Sequence, residues 1–120
     1  MFLNRLEILT EAEKEKVQKN ILELLQDSEW KSKMANAWHL AGYSSRDSSR
    51  ELAWVSARES ARNLGGKSPL FPSREAARTS GALVVRDLIS TEDFEILVAP
   101  CRFLLEELGI ATPIEEQGSI

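Results

Sequence analysis

A chain of 120 residues that is 42% hydrophobic and 28% charged, with a net charge of −4, has the composition of one soluble globular domain, which excludes a disordered protein. No apolar run approaches the ~20 residues of a membrane-spanning helix, and a single cysteine, Cys101, excludes an internal disulfide. We expect a cytoplasmic protein without a cofactor, metal or membrane partner, with one helical domain over 1–112 and a polar tail over 113–120.

The first strong helix signal is a T-x-x-E capping box at Thr10 and Glu13, which satisfies two free backbone groups where a helix starts. It predicts a helix over 11–26, preceded by a short helical turn within 2–9. The apolar residues behind the cap recur at helical spacing: Val17, Ile21, Leu24 and Leu25.

Two further helices are predicted before the middle of the chain. Ser28 is a suitable N-cap for the second helix, and Gly42 is a suitable left-handed stop. The apolar face of that helix contains Trp30, Met34, Ala37, Trp38 and Ala41. Ser44 and Asp47 offer a box-like start for a third helix, which we expect to run to about Leu64.

The clearest break in the helical pattern is 63–72, NLGGKSPLFP, which holds two of the four prolines. Leu70 and Phe71 are expected to pack back onto the core, because an exposed pair would lose a few kcal/mol of burial (about 1.5–3 for each side chain). Ser73 is expected to cap a fourth helix. The residues that line up on it are Ala77, Gly81, Val84 and Leu88.

Ser90 and Asp93 start a fifth predicted helix. Pro100 must kink or break it, because proline lacks the backbone N–H and clashes with the preceding turn. Gly109 is expected to stop the last helical piece. No segment has a convincing strand pattern, so the predicted fold class is all-α: a compact bundle of five or six helices with short loops.

Four arginines and a tryptophan recur at a strict spacing of four: Arg46, Arg50, Trp54, Arg58 and Arg62. A step of four advances about 40° around a helix, so the row would wind around the third helix and is not one flat basic face. Acidic residues three positions before two of these arginines favour local ion pairs. A solvated, partly paired surface is the first interpretation, with nucleic-acid binding or an acidic protein partner as alternatives.

The charge is unevenly distributed along the chain. Residues 1–43 carry six Lys/Arg and seven Asp/Glu, residues 44–86 carry eight and four, and residues 87–120 carry one and eight. The three segments therefore have net charges of −1, +4 and −7. A basic middle and an acidic end could attract a charged partner, or each other.

The third predicted helix also carries a narrow alanine seam, with Leu52 and Val55 on nearly the opposite side. Two apolar sides predict a central helix that is covered on both flanks. Small residues let helix backbones approach closely, and the expected contact is Ala53, Ala57 and Ala61 against Ala77 and Gly81.

The segment MANAWHLAGYSSRDSSRELAW has the outline of a helix-turn-helix unit with its turn at Gly42. Such a unit needs apolar residues about six and nine positions after the glycine, so that its second helix packs on the first. Those positions hold Ser48 and Glu51. The pattern therefore fails in its standard form, and only Leu52 keeps a non-standard version open.

Two single residues could carry chemistry. His39 is predicted to point away from the apolar face into solvent, where a pre-organised catalytic group is not expected. Cys101 follows Pro100, and a helix N-terminus there could lower the pKa of the thiol. A cysteine close to Phe103 and Leu104 is more typical of a small buried hydrophobic residue. We predict no catalytic residue.

The three tryptophans are the most informative apolar residues. Trp30 and Trp38 fall on one face of the second predicted helix, and Trp54 lies on the third. A buried aromatic cluster is the first interpretation, because each ring buries a large area. The alternative is a ligand groove or a protein-binding patch, since Trp and Arg together are typical of binding hot spots.

AWHLAG, RELAWVSARESAR and SGALVVRDLISTEDFEILVAP, within residues 35–100, resemble segments of uncharacterised bacterial Ala/Trp-rich helical proteins. Those proteins carry A-W-x-x-A-x-x-x-A-R units ahead of an A-L-V-V-R-D-L-I segment, which this chain has at 82–89. The resemblance implies helical structure and no particular activity. This chain lacks the repeated units, so a repeat architecture is not expected.

Together these patterns predict a small non-catalytic protein-interaction or regulatory module, whose partner is an acidic protein or a second copy of the chain. A nucleic-acid-associated regulator that uses the basic middle segment is the alternative, and an apolar pocket for a small ligand also stays open. The predicted partner-binding residues are Arg50, Arg58, Arg62, Arg74, Arg78 and Trp54.

Overall fold

The computed structural model describes residues 2–64 and 71–110, which are helical apart from short turns and contain no strand. The helices are α1 (Phe2–Glu7), α2 (Glu11–Leu25), α3 (Ser28–Asp47), α4 (Glu51–Asn63), α5 (Ser73–Val84), α6 (Thr91–Val98) and α7 (Arg102–Glu107). A 3-10 turn, Ala99–Cys101, joins α6 directly to α7, so these two form one bent unit. The predicted all-α bundle of five or six helices is confirmed.

Local side-chain caps define where the first long helices begin. At α2 the Thr10 hydroxyl accepts from the Glu13 amide at 3.1 Å, and the Glu13 carboxylate accepts from the Thr10 amide at 3.0 Å. This is the predicted capping box. The cap of α3 is Asp27, whose carboxylate accepts from two backbone amides, so Ser28 is the first helical residue and not the cap.

The end of α3 differs from the prediction, because Gly42 lies inside this helix. The helix ends in a Schellman motif, in which the Arg50 amide donates to the Ser45 carbonyl at 2.7 Å and Ser49 adopts a φ of 63°. A new helix start at Ser44 and a helix-turn-helix turn at Gly42 are therefore both wrong.

α4 and α5 form an antiparallel pair, the most extensive helix–helix contact in the described chain. Arg50, just before α4, donates to the Val84 carbonyl at the end of α5 (3.1 Å) and to both Asp87 carboxylate oxygens (2.6 and 3.1 Å). On the other side of α4, Leu52 is 88% exposed. The predicted cover on the second flank is therefore only partial, because Val55 on that flank is half-buried.

The predicted alanine seam is only partly present. Ala61 is buried and Ala57 is half-buried, but Ala53 is exposed. The space beside Gly81 is filled by Trp54 instead: a Cβ built on Gly81 would lie 2.9 Å from Trp54 Nε1. An indole ring, and not a row of methyl groups, lines that end of the α4–α5 contact.

The bend between α6 and α7 lies at Pro100, as the sequence predicts. Ser90 caps α6, and its hydroxyl accepts from the Asp93 amide at 3.1 Å. Asn20 of α2 donates to the Pro100 carbonyl at 3.1 Å, so α2 satisfies a backbone group at the bend. The largest fully buried side chains lie around this unit and include Phe94, Leu97, Leu104, Leu105, Leu6, Val17 and Val85.

The segment before α5 returns to the core, since Phe71 is buried. Ser73 is the first residue of α5 and follows Pro72 at the N-cap position, so it is not the cap. Leu70 and the predicted boundary of the polar tail, within 111–120, lie outside the described residues. No helix in the described ranges is long and apolar enough to cross a membrane.

Candidate functional site

A pair of tryptophans lies where α3, α4 and α5 meet. The ring centroids of Trp38 and Trp54 are 5.1 Å apart and their planes are tilted by 37°. The Trp54 ring extends from Gly81 on α5 to Gly42 on α3, where an added Cβ would lie 3.4 Å from Cη2. Both rings are half-buried, so they join the core and also reach the surface.

Arg58 covers this tryptophan pair. It follows Trp54 by four residues on α4, which places both side chains on one helix face. Its Cζ lies 4.4 Å from the Trp54 ring centroid and 5.1 Å from that of Trp38. Its Nε is buried and has no hydrogen-bond partner among the described residues. The indoles thus hold the guanidinium by cation–π contacts and remove water from one of its faces.

Three more arginines continue from this cluster along the contact between α4 and α5. One row on α4, at a spacing of four, contains Trp54, Arg58 and Arg62. The corresponding row on α5, at spacings of three and four, contains Gly81, Arg78 and Arg74. Trp54 packs on Gly81, so the two rows run along the same seam. We call the four side chains Arg58, Arg62, Arg74 and Arg78 the arginine surface.

The arginine surface carries excess positive charge. Within the described residues, none of its four members forms an ion pair with a carboxylate. Arg62 and Arg74 are exposed, whereas Arg78 is half-buried and its burial lowers the pKa of its guanidinium. Arg78 forms no close ion pair among the described residues, and Glu75 offsets its charge only by a longer-range attraction. A half-buried cation that is incompletely neutralised favours the approach of an anion.

The predicted arginine row is divided between two helices. Arg46 belongs to α3, beyond the Ser49 turn, and the others belong to α4 or its start. Arg50 is occupied by Asp87 and Val84 and acts as a tie between α4 and α5. Of the predicted site residues, the structure brings the side chains of Trp54 and Arg58 into contact, whereas the Arg50 side chain binds Val84 and Asp87.

A pocket of about 220 Å³ opens beside the tryptophan pair. Its lining residues are Trp38, His39, Gly42, Arg46, Glu51 and Trp54. Arg46 also contacts Tyr43, with its Cζ 4.7 Å from the ring centroid. The pocket arises where the last turns of α3 pass the first turn of α4. The sequence did not indicate Glu51 as a site residue, because it lines the same pocket as Arg46 only when α3 continues to Asp47 and a separate helix, α4, begins at Glu51.

Trp30 is separate from the tryptophan pair. It lines a shallow depression between α3 and α6, together with Lys33, Glu92, Glu95 and Ile96. Lys33 there pairs with Glu29 at 3.0 Å and with Glu92 at 3.5 Å. The predicted cluster of three tryptophans is therefore a pair plus one distant ring.

His39 and Cys101 lie in different surroundings. His39 is exposed, as predicted, and meets the Tyr43 ring edge-on at 4.7 Å. Cys101 is fully buried, and this burial raises the pKa of its thiol to about 12, which is the reverse of activation by a helix N-terminus. The thiol is protonated at neutral pH and packs as a small hydrophobic group.

The chain was also compared with known proteins. The resemblance predicted from the segment at 82–89 stays a prediction. Comparison with protein-family models, with curated protein sequences and with solved structures found no match.

Proposed function

We propose that this protein is a non-catalytic protein-interaction or regulatory module that binds an acidic segment of a cytoplasmic partner along the arginine surface. The observation that carries the proposal is the position of Arg58, whose guanidinium lies on two indole rings and has no described counter-ion. Trp54, Arg62, Arg74 and Arg78 are the further contacts. Arg50 does not contact the partner in this proposal, because its side chain holds α4 against the end of α5 through Val84 and Asp87.

Arg58 has the properties of a binding hot spot. Its side chain is already ordered by the rings of Trp38 and Trp54, so binding a carboxylate orders little more of the chain. A guanidinium offers two parallel N–H groups to a carboxylate, and such charge-assisted pairs are strong where water is excluded. Trp and Arg are also the residue types that dominate measured hot spots.

A nucleic-acid-associated regulator is the second candidate. Aromatic rings beside arginines can also hold single-stranded nucleic acid, and residues 44–86 carry a net charge of +4. Against it stand the overall charge of −4 and two carboxylates that adjoin these arginines in the sequence, Glu59 after Arg58 and Glu75 after Arg74. These two carboxylates would repel a continuous phosphate backbone more than an acidic peptide, because the charges of a peptide need not be evenly spaced.

The test is affinity capture from source lysate with three baits, followed by quantitative mass spectrometry. The baits are the wild type, Arg58→Glu/Arg62→Glu, and the matched control Lys19→Glu/Lys31→Glu. Lys19 and Lys31 are exposed residues of α2 and α3, and each double variant changes the net charge by the same amount. A parallel set of lysates is treated with nuclease.

We expect at least one protein with an acidic segment to be captured by the wild type and the lysine control but lost with the arginine variant. Loss of the captured material on nuclease treatment would favour the nucleic-acid regulator. Capture of the same proteins by all three baits would contradict both candidates. A shift of the purified wild type, but not of Arg58→Glu/Arg62→Glu, to a dimer in light scattering would identify a second copy as the partner.

A further inference from the structure

The pocket beside the tryptophan pair has two unpaired groups of opposite charge at its rim. Arg46 comes from the last turn of α3 and Glu51 from the first turn of α4. In the part of the chain that the structure describes, they form no ion pair with each other or with any other residue. Arg46 is instead held over the Tyr43 ring at 4.7 Å.

The floor of this pocket is aromatic and small. It is made by Trp38 and Trp54, and Gly42 contributes no side chain, which leaves the space above the rings open. Its volume of about 220 Å³ is below the roughly 300–1,000 Å³ of pockets for drug-sized ligands. The space suits a body about the size of one large amino-acid side chain.

We propose that this pocket binds a small zwitterion with an aromatic or large apolar body, of the class of free hydrophobic α-amino acids. The ligand carboxylate pairs with Arg46, the ammonium group pairs with Glu51, and the apolar body lies on the two indoles. An anionic ligand would meet the unpaired Glu51, and a cationic ligand would meet Arg46. Only a ligand with both charges satisfies both groups.

This small-ligand site goes beyond the proposed protein-binding function and does not depend on it. Arg58 contacts the same two rings, but it does not line the pocket. A substitution at Arg46 or Glu51 therefore tests the pocket and leaves the arginine surface in place.

The experiment is a titration followed by NMR, with the indole N–H resonances of the three tryptophans assigned from single Trp→Phe variants. The probes share a phenyl body: L-phenylalanine carries both charges, phenethylamine only the ammonium group and 3-phenylpropanoate only the carboxylate. We expect L-phenylalanine at millimolar concentration to shift the resonances of Trp38 and Trp54, but not that of the distant Trp30. We expect it to bind about tenfold more tightly than either analogue.

Three variants assign the contacts. Arg46→Gln is expected to reduce the affinity for L-phenylalanine to that for phenethylamine, and Glu51→Gln to reduce it to that for 3-phenylpropanoate. Gly42→Ala places a methyl group on the pocket floor, 3.4 Å from the Trp54 ring, and should weaken all three probes without unfolding the protein. Thermal unfolding of each variant provides the control for folding.

The proposal is overturned by any of three results. The first is no shift at Trp38 and Trp54 with any probe at millimolar concentration. The second is an equal shift at Trp30, which would indicate non-specific contact. The third is a ratio of affinities among the probes that neither Arg46→Gln nor Glu51→Gln changes.

Discussion

Gly81 is the residue that allows the tryptophan pair to pack against α5. A Cβ there would lie 2.9 Å from Trp54 Nε1 and 3.0 Å from Trp38 Cη2. Alanine suits a helix interior better than glycine by about 1 kcal/mol, but here overpacking against two rings costs about 1–3 kcal/mol. We expect Gly81→Ala to lower the free energy of unfolding by about 1 kcal/mol, measured by urea denaturation.

Gly42→Ala is the matched control, because Gly42 also lies inside a helix and also faces Trp54. The added Cβ would lie 3.4 Å from Cη2 of that ring, an ordinary van der Waals contact. Only the helix preference then changes, so the free energy of unfolding should rise by up to about 1 kcal/mol. If alanine stabilises the protein equally at both glycines, the rings move aside freely and their packing does not require glycine at position 81.

At the scale of the helices, the end of α3 offers a second prediction. Ser49 adopts the left-handed conformation, with φ 63°, which costs a residue with a Cβ about 1–2 kcal/mol. Glycine avoids this cost but loses about 0.5–1 kcal/mol of extra backbone entropy on folding. Ser49→Gly is therefore expected to raise the free energy of unfolding by about 0.5–1 kcal/mol in urea denaturation.

Gly109 provides the reverse experiment, because α7 ends in the same Schellman motif. There the Ile110 amide donates to the Leu105 carbonyl at 2.9 Å, and Gly109 has a φ of 72°. Among the described residues, no atom other than those of the two chain neighbours lies within 4 Å of an added Cβ, so Gly109→Ala should cost about 1 kcal/mol through conformation alone. A neutral result at both positions would show that these turns relax at no cost.

The starts of α2 and α6 could be predicted from the sequence, whereas the end of α3 and the start of α4 could not. A cap such as Thr10 with Glu13 is a local signal, since both partners lie within one turn of the chain. Gly42 is the strongest local stop signal in its region, but its contact with the Trp54 ring comes from a different helix. Ser49 carries no comparable signal, because serine seldom occupies the left-handed region.

In the candidate site, contacts within one helix could be predicted from the sequence, whereas contacts between helices could not. Arg58 beside Trp54 follows from a spacing of four on one helix, and the sequence indicated both residues. The pocket could not be predicted, because Arg46 and Glu51 line it together only through the turn between α3 and α4. The position of Gly81 under the rings likewise depends on how α5 packs against α4.

At the scale of the whole molecule, Arg5 on α1 links three helices. Its guanidinium pairs with Glu13 on α2 and with Glu107 on α7. The hydrogen bond from Arg5 is the main reason that the pKa of Glu13 lies below its ordinary value of 4.5. Because the folded pKa is the lower one, this pair stabilises the fold above about pH 4.5 and stops doing so as the pH falls through the lowered value.

Glu13→Gln tests this link, because glutamine can still accept from the Thr10 amide in the capping box. We expect the variant to unfold at a lower urea concentration than the wild type at pH 7, and the difference to shrink as the pH falls below the ordinary pKa of 4.5 and through the lowered pKa of Glu13. Glu11→Gln is the control, since the exposed Glu11 has Lys14 as its only ion-pair partner among the described residues. A difference for Glu13→Gln that stays constant with pH would contradict the assignment.

The close approach of Trp38 and Trp54 has an optical consequence. The two indole rings have centroids 5.1 Å apart and planes tilted by 37°, so their electronic transitions couple as an exciton pair. Such coupling gives a band with one positive and one negative lobe in the far-ultraviolet circular dichroism spectrum. Replacing either ring by phenylalanine should abolish that band, while replacing Trp30 should leave it unchanged. Binding of a molecule to these rings can therefore be followed in the unlabelled protein as a change in this circular dichroism band.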